Sequence, residues 1–361
     1  MHLSSSMSAS NKTLGSIQLL RGIASILVVL LHITINYNEN TGQRFLFDIF
    51  RFGGSGVDIF FVLSGFIITY SNLRYLAQPS SVGKFLKRRF IRIFPIYWII
   101  ITVFLMLQLA LPAFYKSHFD TGLANVLQTY LLLPGHVMIN GVSWSLTNEL
   151  FFYLLFSLAL LIPNKKICFY LMTVYFLFLI AYALISPATM NGNPYKEFVL
   201  FPMNIEFFLG VFIVLIINRI SKNWIYPLLI TGIALFVAGS LLSNSDFAVV
   251  SSSLHIALNR VLLFGFPSFL IILAVVKLEF SKTVNVHSVF VHLGDASYSI
   301  YLIHLPIVAA FFKIVVKFNI NNTVLLSLCS FVLLITVCAA GIFIYHKIEK
   351  PLIQKLNKLL L

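Results

Sequence analysis

The sequence predicts an all-α, polytopic membrane protein, a bundle of about ten transmembrane helices with both termini cytoplasmic. Three observations carry that prediction. Of 361 residues 59% are hydrophobic and 10% charged, and the mean hydropathy of +0.95 lies far above that of a soluble domain. The apolar residues gather into runs of about 18 or more, enough helix to cross ~30 Å of hydrocarbon. Lys and Arg between the runs are unevenly distributed, which is what orients a bundle in the bilayer.

In chain order, the candidate spans cover residues 16–36, 57–76, 93–112, 144–162, 167–186, 197–217, 224–242, 257–278, 295–316 and 323–346. A Ser-rich tail, 1–15, precedes them. Arg21 interrupts the first run and no small-residue cleavage site follows, so that run reads as a retained span and not a signal peptide. The external loop 113–143 contains NVLQTYLLLP, which predicts a short interfacial or re-entrant helix stopped by Pro134 and Gly135. Residues 279–294 read as a cytoplasmic loop carrying His287 and His292. HKIEKPL, 346–352, reads as a helix end with Pro351 as its stop, leaving 347–361 as a cytoplasmic tail. No transporter-like repeat of broken segments is visible, so 1–361 is taken as one membrane domain. With ten spans both termini share a side, and most of the 25 Lys and Arg fall there; the positive-inside rule makes that side cytoplasmic.

The net charge of +14 does not imply nucleic acid, because the cations are scattered between spans and form no basic face with stacking aromatics. Cys168, Cys329 and Cys338 sit in or beside apolar spans. Cys329 and Cys338 fall on opposite faces of one helix, about 13 Å apart, so no disulfide framework follows. No metal-ligand set is evident.

The chemistry lies in ionisable groups held at membrane depth, which are costly and usually face a protein interior or watery cavity. In SIQLLRGIASILVVLLHITIN, Arg21 and His32 are eleven residues apart. That is three turns plus about 20°, so both point along one stripe, about 16 Å apart on the axis, with Gln18, Ser25 and Asn36 on or near it. In GGSGVDIFFVLSGF, Asp58 is either a helix cap or an intramembrane acid. SVGKFLKRRFIRIFPIYW packs Lys84, Lys87, Arg88, Arg89 and Arg92 together. Such a cluster is a topology anchor or anionic-lipid contact, yet Arg89 and Arg92, one turn apart, also suit a multiply charged phosphate. In GVSWSLTNELFFYLLF, Glu149 shares a face with Ser145, Asn148, Phe152 and Tyr153. It could orient His32, anchor Arg51 or Arg260, or bind a sugar hydroxyl. Glu206 is a further acid, read as structural. In GDASYSIYLIHLP, Ser297, Tyr301 and His304 stand at i, i+4 and i+7, either hydrogen-bonded within the bundle or serving the site.

Together these stretches, from Arg21 to Pro351, resemble the acyltransferase 3 family of integral membrane acyltransferases. The family's hallmark of Arg or Lys, ten residues, then His matches Arg21 and His32, and its Arg-x-x-Arg matches Arg89 and Arg92. GVDIFFVLSGF, WSLTNELFFY and SYSIYLIHLP resemble its further signatures, which makes Asp58, Glu149, Tyr301 and His304 its polar partners here. The resemblance implies transfer of an acyl group, most often acetyl from cytoplasmic acetyl-CoA, to a hydroxyl of a cell-surface or lipid-linked glycan such as an O-antigen, capsule or exopolysaccharide, in the bacterial inner membrane. His32 would be general base or transient acyl carrier, an imidazole titrating near pH 6.5 being suited to take a hydroxyl proton. Arg21 would hold the donor or polarise its carbonyl, Glu149 would complete the catalytic group, and Arg88, Arg89 and Arg92 would bind the CoA phosphates. The alternative reading is a transporter or flippase of lipid-linked saccharides, since buried Arg, Glu and His also mark substrate pathways.

Overall fold

The computed structural model describes residues 14–111, 122–135, 138–186, 193–243, 254–282, 284–320 and 322–361, with the backbone alone at 197 and 254–256. Every regular element among them is helical. In hydrocarbon a helix satisfies its own backbone, where an open sheet edge would not. Nine helical stretches among the described residues are long and apolar enough to cross a membrane. The tail 1–13, residues 112–121 and residues 136–137, which belong to the predicted tail, the last residue of the predicted third span and the predicted loop 113–143, lie outside the described residues.

The first three spans are α1 (Gly15–Thr41), α2 (Gly56–Asn72) and α3 (Val82–Ala110). α3 starts eleven residues before the predicted third span at 93, so the whole basic cluster is helical and continuous with the span; Pro95 lies inside it. The foreseen short helix is α4 (Leu123–Tyr130), left through Leu132 at φ +53 and Gly135 at φ +87. α5 (Trp144–Leu161) and α6 (Lys165–Ile185) follow the predicted fourth and fifth spans.

The sixth span departs from expectation. Residues 197–217 form no single helix: α7 (Pro194–Val199) stops, and the 13-residue α8 (Asn204–Ile216) begins afresh, about 20 Å long. Pro202 causes the break, because it has no N–H to donate and its ring crowds the carbonyl one turn back. The Asn204 side-chain amide then donates to the carbonyls of Phe198 and Val199, at 3.0 and 3.2 Å. α9 (Ile225–Leu242) is the seventh span. The eighth is α10 (Leu254–Arg260) running through a π-turn at Val261–Gly265 into α11 (Phe266–Ser281).

The predicted loop 279–294 contains a helix, α12 (Ser288–Asp295), so Asp295 ends α12 and the ninth span starts at α13 (Ser297–Lys317). α14 (Thr323–Ile344) does not end near Pro351. It passes through a π-turn at Tyr345–Glu349 into α15 (Lys350–Leu360), so the predicted tail is helical. The wide turn spreads the backbone where the proline ring would otherwise meet the preceding turn, and Pro351 sits in the first turn of α15, where a missing N–H costs little.

Two devices place α1. The Glu279 carboxylate at the end of α11 accepts from the N–H groups of Gly15 and Ser16, at 2.8 and 3.1 Å, and from the Ser16 hydroxyl. It thereby satisfies donors that a helix start leaves orphaned and complements the dipole. On the adjoining face Gly294 lets α12 close on the Gln18 backbone, where any Cβ would collide. α1 and α13 run parallel: Arg21 meets Ser297, His32 meets His304, and Tyr37 meets Phe312. Parallel first and ninth spans need seven crossings between them, so the broken sixth span must count as one. The architecture is thus a bundle of about ten spans.

Candidate functional site

Between α1, α2, α3, α5 and α13 lies a cavity of about 120 Å³. It is lined by Arg21 from α1, Ser64 from α2, Arg89 and Arg92 from α3, Ser145, Glu149 and Tyr153 from α5, and Ser297, Tyr298 and Tyr301 from α13. Five predicted site residues from four helices, Arg21, Arg89, Arg92, Glu149 and Tyr301, therefore meet around one space. Arg88 does not join them: one residue from Arg89, it faces outward and is exposed.

Each guanidinium is held differently. Arg21 donates through Nε and one terminal nitrogen to the Ser297 hydroxyl, at 3.2 and 3.0 Å, which ties α1 to the first turn of α13. Arg92 is 2.5 Å from a Glu349 oxygen, and Ser299 donates to the other oxygen at 2.6 Å. Glu349 is fully buried and comes from the π-turn after α14. Arg89 lies over the rings of Phe85 and Tyr153, 5.4 and 5.5 Å from their centres, and its buried Nε has no hydrogen-bond partner among the described residues. Glu149 accepts from Ser64 and Tyr153, both at 2.7 Å and both on Oε1. The alternatives foreseen for it resolve in part, since Arg260 pairs with Asp58 and Arg51 with Asp48.

Three guanidiniums thus face two carboxylates, with the N-terminus of the 21-residue α13 at the same place. A half-buried surplus of positive charge beside a positive helix end is a site for an anion. The volume fits a thioester end or one phosphate group; a whole nucleotide needs several times more.

The histidines form a second group at the Tyr301 end. Neither lines the cavity. Tyr301 does, and its ring centre is 5.7 Å from that of His304. Its hydroxyl is fixed by Ser145 at 2.7 Å and by donation to the Val142 carbonyl at 3.0 Å. Phe60 stands edge-on to it at 6.1 Å. His32 and His304 face each other with ring centres 4.8 Å apart; His304 is fully buried and His32 partly so. Arg21 and His32 do lie on one side of α1, each turned to α13.

Asp58 stands apart from both groups. Arg260 binds it through two nitrogens, at 3.0 and 2.7 Å, and also donates to the Gly54 carbonyl. Glu206, also fully buried, adjoins this pair. The cluster ties α2, α8 and the end of α10 together where α2 begins, so Asp58 acts on the site through the placement of α2.

Glu349 is the site residue that sequence reasoning missed. Its signal is that no other acid follows Asp295 in a stretch rich in lysine. Glu279 and Ser64 carried no such mark; one caps a helix 263 residues away and the other is an ordinary serine in an apolar run.

The comparisons agree with the motifs. The family described as "Acyltransferase domain", acyltransferase 3, matches residues 14–343. The exopolysaccharide production protein ExoZ of Rhizobium meliloti (strain 1021) is 27% identical over 326 residues, covering 88% of this chain and 93% of that one. The acyltransferase MdmB of Streptomyces mycarofaciens is 27% identical, covering 80% and 77%. A putative acetyltransferase, ORF330, of Acidianus two-tailed virus is 27% identical, covering 79% and 81%. No solved structure matches the chain.

Proposed function

Because the chain belongs to the acyltransferase 3 family, we propose that it transfers an acyl group, acetyl from acetyl-CoA, to a hydroxyl of a cell-surface or lipid-linked glycan, as part of exopolysaccharide, O-antigen or capsule modification. It does so as a multi-pass protein of the bacterial inner membrane, taking its donor from the cytoplasm. The observation that carries this reading is the cavity where Arg21, Arg89 and Arg92 converge on an unmet need for negative charge. A relative named for exopolysaccharide production supports the glycan acceptor.

The residues divide the work. Arg89, with its Nε uncommitted, and Arg92 grip phosphate at the mouth, while exposed Lys84, Lys87 and Arg88 on the preceding turns of α3 take the nucleotide end that the cavity is too small to hold. Arg21 polarises the thioester carbonyl, since a fixed guanidinium stabilises charge developing on that oxygen. Glu149 balances the guanidiniums and holds Tyr153 against Arg89. The thioester passes Tyr301 to reach His32, whose imidazole takes the acceptor's hydroxyl proton as the new C–O bond forms and the C–S bond breaks.

The test is calorimetric CoA binding and acetyl-CoA turnover by protein in nanodiscs, comparing wild type, His32→Ala and Arg89→Ala/Arg92→Ala. Saturable binding lost with the arginines, and turnover lost with His32, is the expected result. A folded wild type that binds no CoA overturns the donor assignment and brings the transporter reading forward.

A further inference from the structure

We propose that His304 is the positioning partner of His32: it accepts the proton on His32 Nδ1, keeps His32 Nε2 bare as the base nitrogen, and shares the positive charge once that nitrogen is protonated. The catalytic half rests on the function proposed above; the pairing itself does not.

The bond network fixes the assignment. His32 Nδ1 lies 2.9 Å from the Val28 carbonyl oxygen and 3.3 Å from His304 Nε2, and His304 Nδ1 lies 2.7 Å from the Tyr301 carbonyl oxygen. A carbonyl oxygen only accepts, so each Nδ1 carries its hydrogen. A neutral imidazole has one N–H, so both Nε2 atoms are bare. His304 Nε2 then faces the His32 Nδ1–H, which it shares with Val28. Any other neutral assignment sets a ring lone pair against a carbonyl lone pair. Of the four ring nitrogens, His32 Nε2 alone keeps its lone pair uncommitted among the described residues.

The surroundings hold this arrangement. His304 is fully buried, as are Ile33 on α1 and Val308 on α13. Its backbone partner Tyr301 is anchored through its own hydroxyl to Ser145 and Val142. The part played resembles that of the carboxylate behind the histidine of a hydrolytic triad, which fixes the tautomer and stabilises the imidazolium. A neutral acceptor suits a bilayer better, because a resting carboxylate at that depth needs a counter-charge. During transfer the acceptor O–H proton moves to His32 Nε2, oxygen bonds the acyl carbon, the C–S bond breaks, and the thiolate takes the proton back from Nε2. The Nδ1 proton stays between the two rings, so alcohol and thioester give ester and thiol with nothing left over.

The first test uses no ligand: ¹⁵N spectra of histidine-labelled full-length protein in nanodiscs, with His32 assigned by the signals lost in His32→Gln. Expected are a protonated Nδ1 and a bare Nε2 at His32, and a shift of both signals in His304→Leu. A protonated Nε2 with a bare Nδ1, or ring signals indifferent to His304→Leu, overturns the pairing. The second test is acetyl-CoA turnover. His304→Leu should lower kcat about 100-fold with KM for acetyl-CoA within about twofold and the melting temperature kept. His304→Gln, whose amide oxygen can accept the Nδ1 proton, should recover at least about tenfold of that loss. Equal losses in both variants, or a loss shared between kcat and KM, overturn the catalytic part. If His304→Leu does not fold, the comparison of wild type with His304→Gln decides, and a glutamine variant as inactive as His32→Gln counts against positioning. A wild type that never turns over acetyl-CoA refutes the proposed function, while the spectra still judge the pairing.

Discussion

Arg89 and Arg92 are one turn apart on α3 and read alike in the sequence, yet the fold has given them unlike bonds. Arg92 neutralises Glu349, which is fully buried. Arg92 is half-buried and Glu349 wholly so, and removing the arginine leaves a buried carboxylate with Ser299 as its remaining donor, so Arg92→Ala should destabilise the protein by about 1–3 kcal/mol, and adding Glu349→Gln should return most of that loss. Denaturant unfolding in detergent checks both; a double variant no better than the single one removes the pairing from the account. Arg89 has no carboxylate partner among the described residues, so Arg89→Ala should spare stability and weaken CoA binding. Arg21→Lys keeps charge but loses the two-nitrogen hold on Ser297, and turnover should fall about tenfold or more in a protein that still folds. Unimpaired turnover would mean that charge alone matters at that position. Arg21, His32, Glu149 and His304 were legible because an ionisable group inside an apolar run stands out against its neighbours. Glu349 was not, because it lies past the run, beside a proline that reads as a helix stop.

Helix–helix distance is set where a side chain is missing. Gly65 on α2 faces the Phe207 backbone, and Gly210 on α8 faces Val62 and Phe66; a Cβ at either place meets main chain, which cannot yield as a side chain could. Gly65→Ala and Gly210→Ala should each cost about 1–3 kcal/mol, and the double variant less than the sum, since the first methyl already pushes the helices apart. Unfolding of the four proteins of that cycle tests it; full additivity would show two independent sites. The contact matters to the site because α2 carries Ser64 to Glu149 and Asp58 to Arg260. Span positions were readable from apolar run lengths, which need no tertiary information. What ended or broke a helix was not: Pro202 interrupts one, whereas Pro351 is absorbed by a π-turn and Pro95 rides inside α3. A proline's effect depends on whether the turn before it can widen and on what bonds the freed carbonyl, and both are tertiary facts.

At the scale of the whole molecule, the number of crossings decides which end of the bundle meets which compartment. The parallel run of α1 and α13 requires the short, broken α8 region to cross, which puts the start of α1 and the end of α14 on one side. Arg21, Arg92, Ser297 and Glu349 all lie toward that side, as do the basic start of α3 and the helix α15 antiparallel to it, joined where Lys87 reaches the Leu360 carbonyl. The arginines of the cavity therefore stand toward the cation-rich end, and the histidine pair lies farther across. If that end is cytoplasmic, as the distribution of Lys and Arg predicts, the proposed donor and acceptor would approach from opposite faces and the acyl group alone would travel between them. In a variant with Cys168, Cys329 and Cys338 replaced, Lys358→Cys should resist a membrane-impermeant maleimide in intact cells and react after permeabilisation, whereas Arg44→Cys should react in both. Labelling of both in intact cells would mean an odd number of crossings and a non-crossing α8. Labelling of Lys358→Cys alone would invert the bundle, set the arginine cavity against the outside, and make cytoplasmic acetyl-CoA the wrong donor.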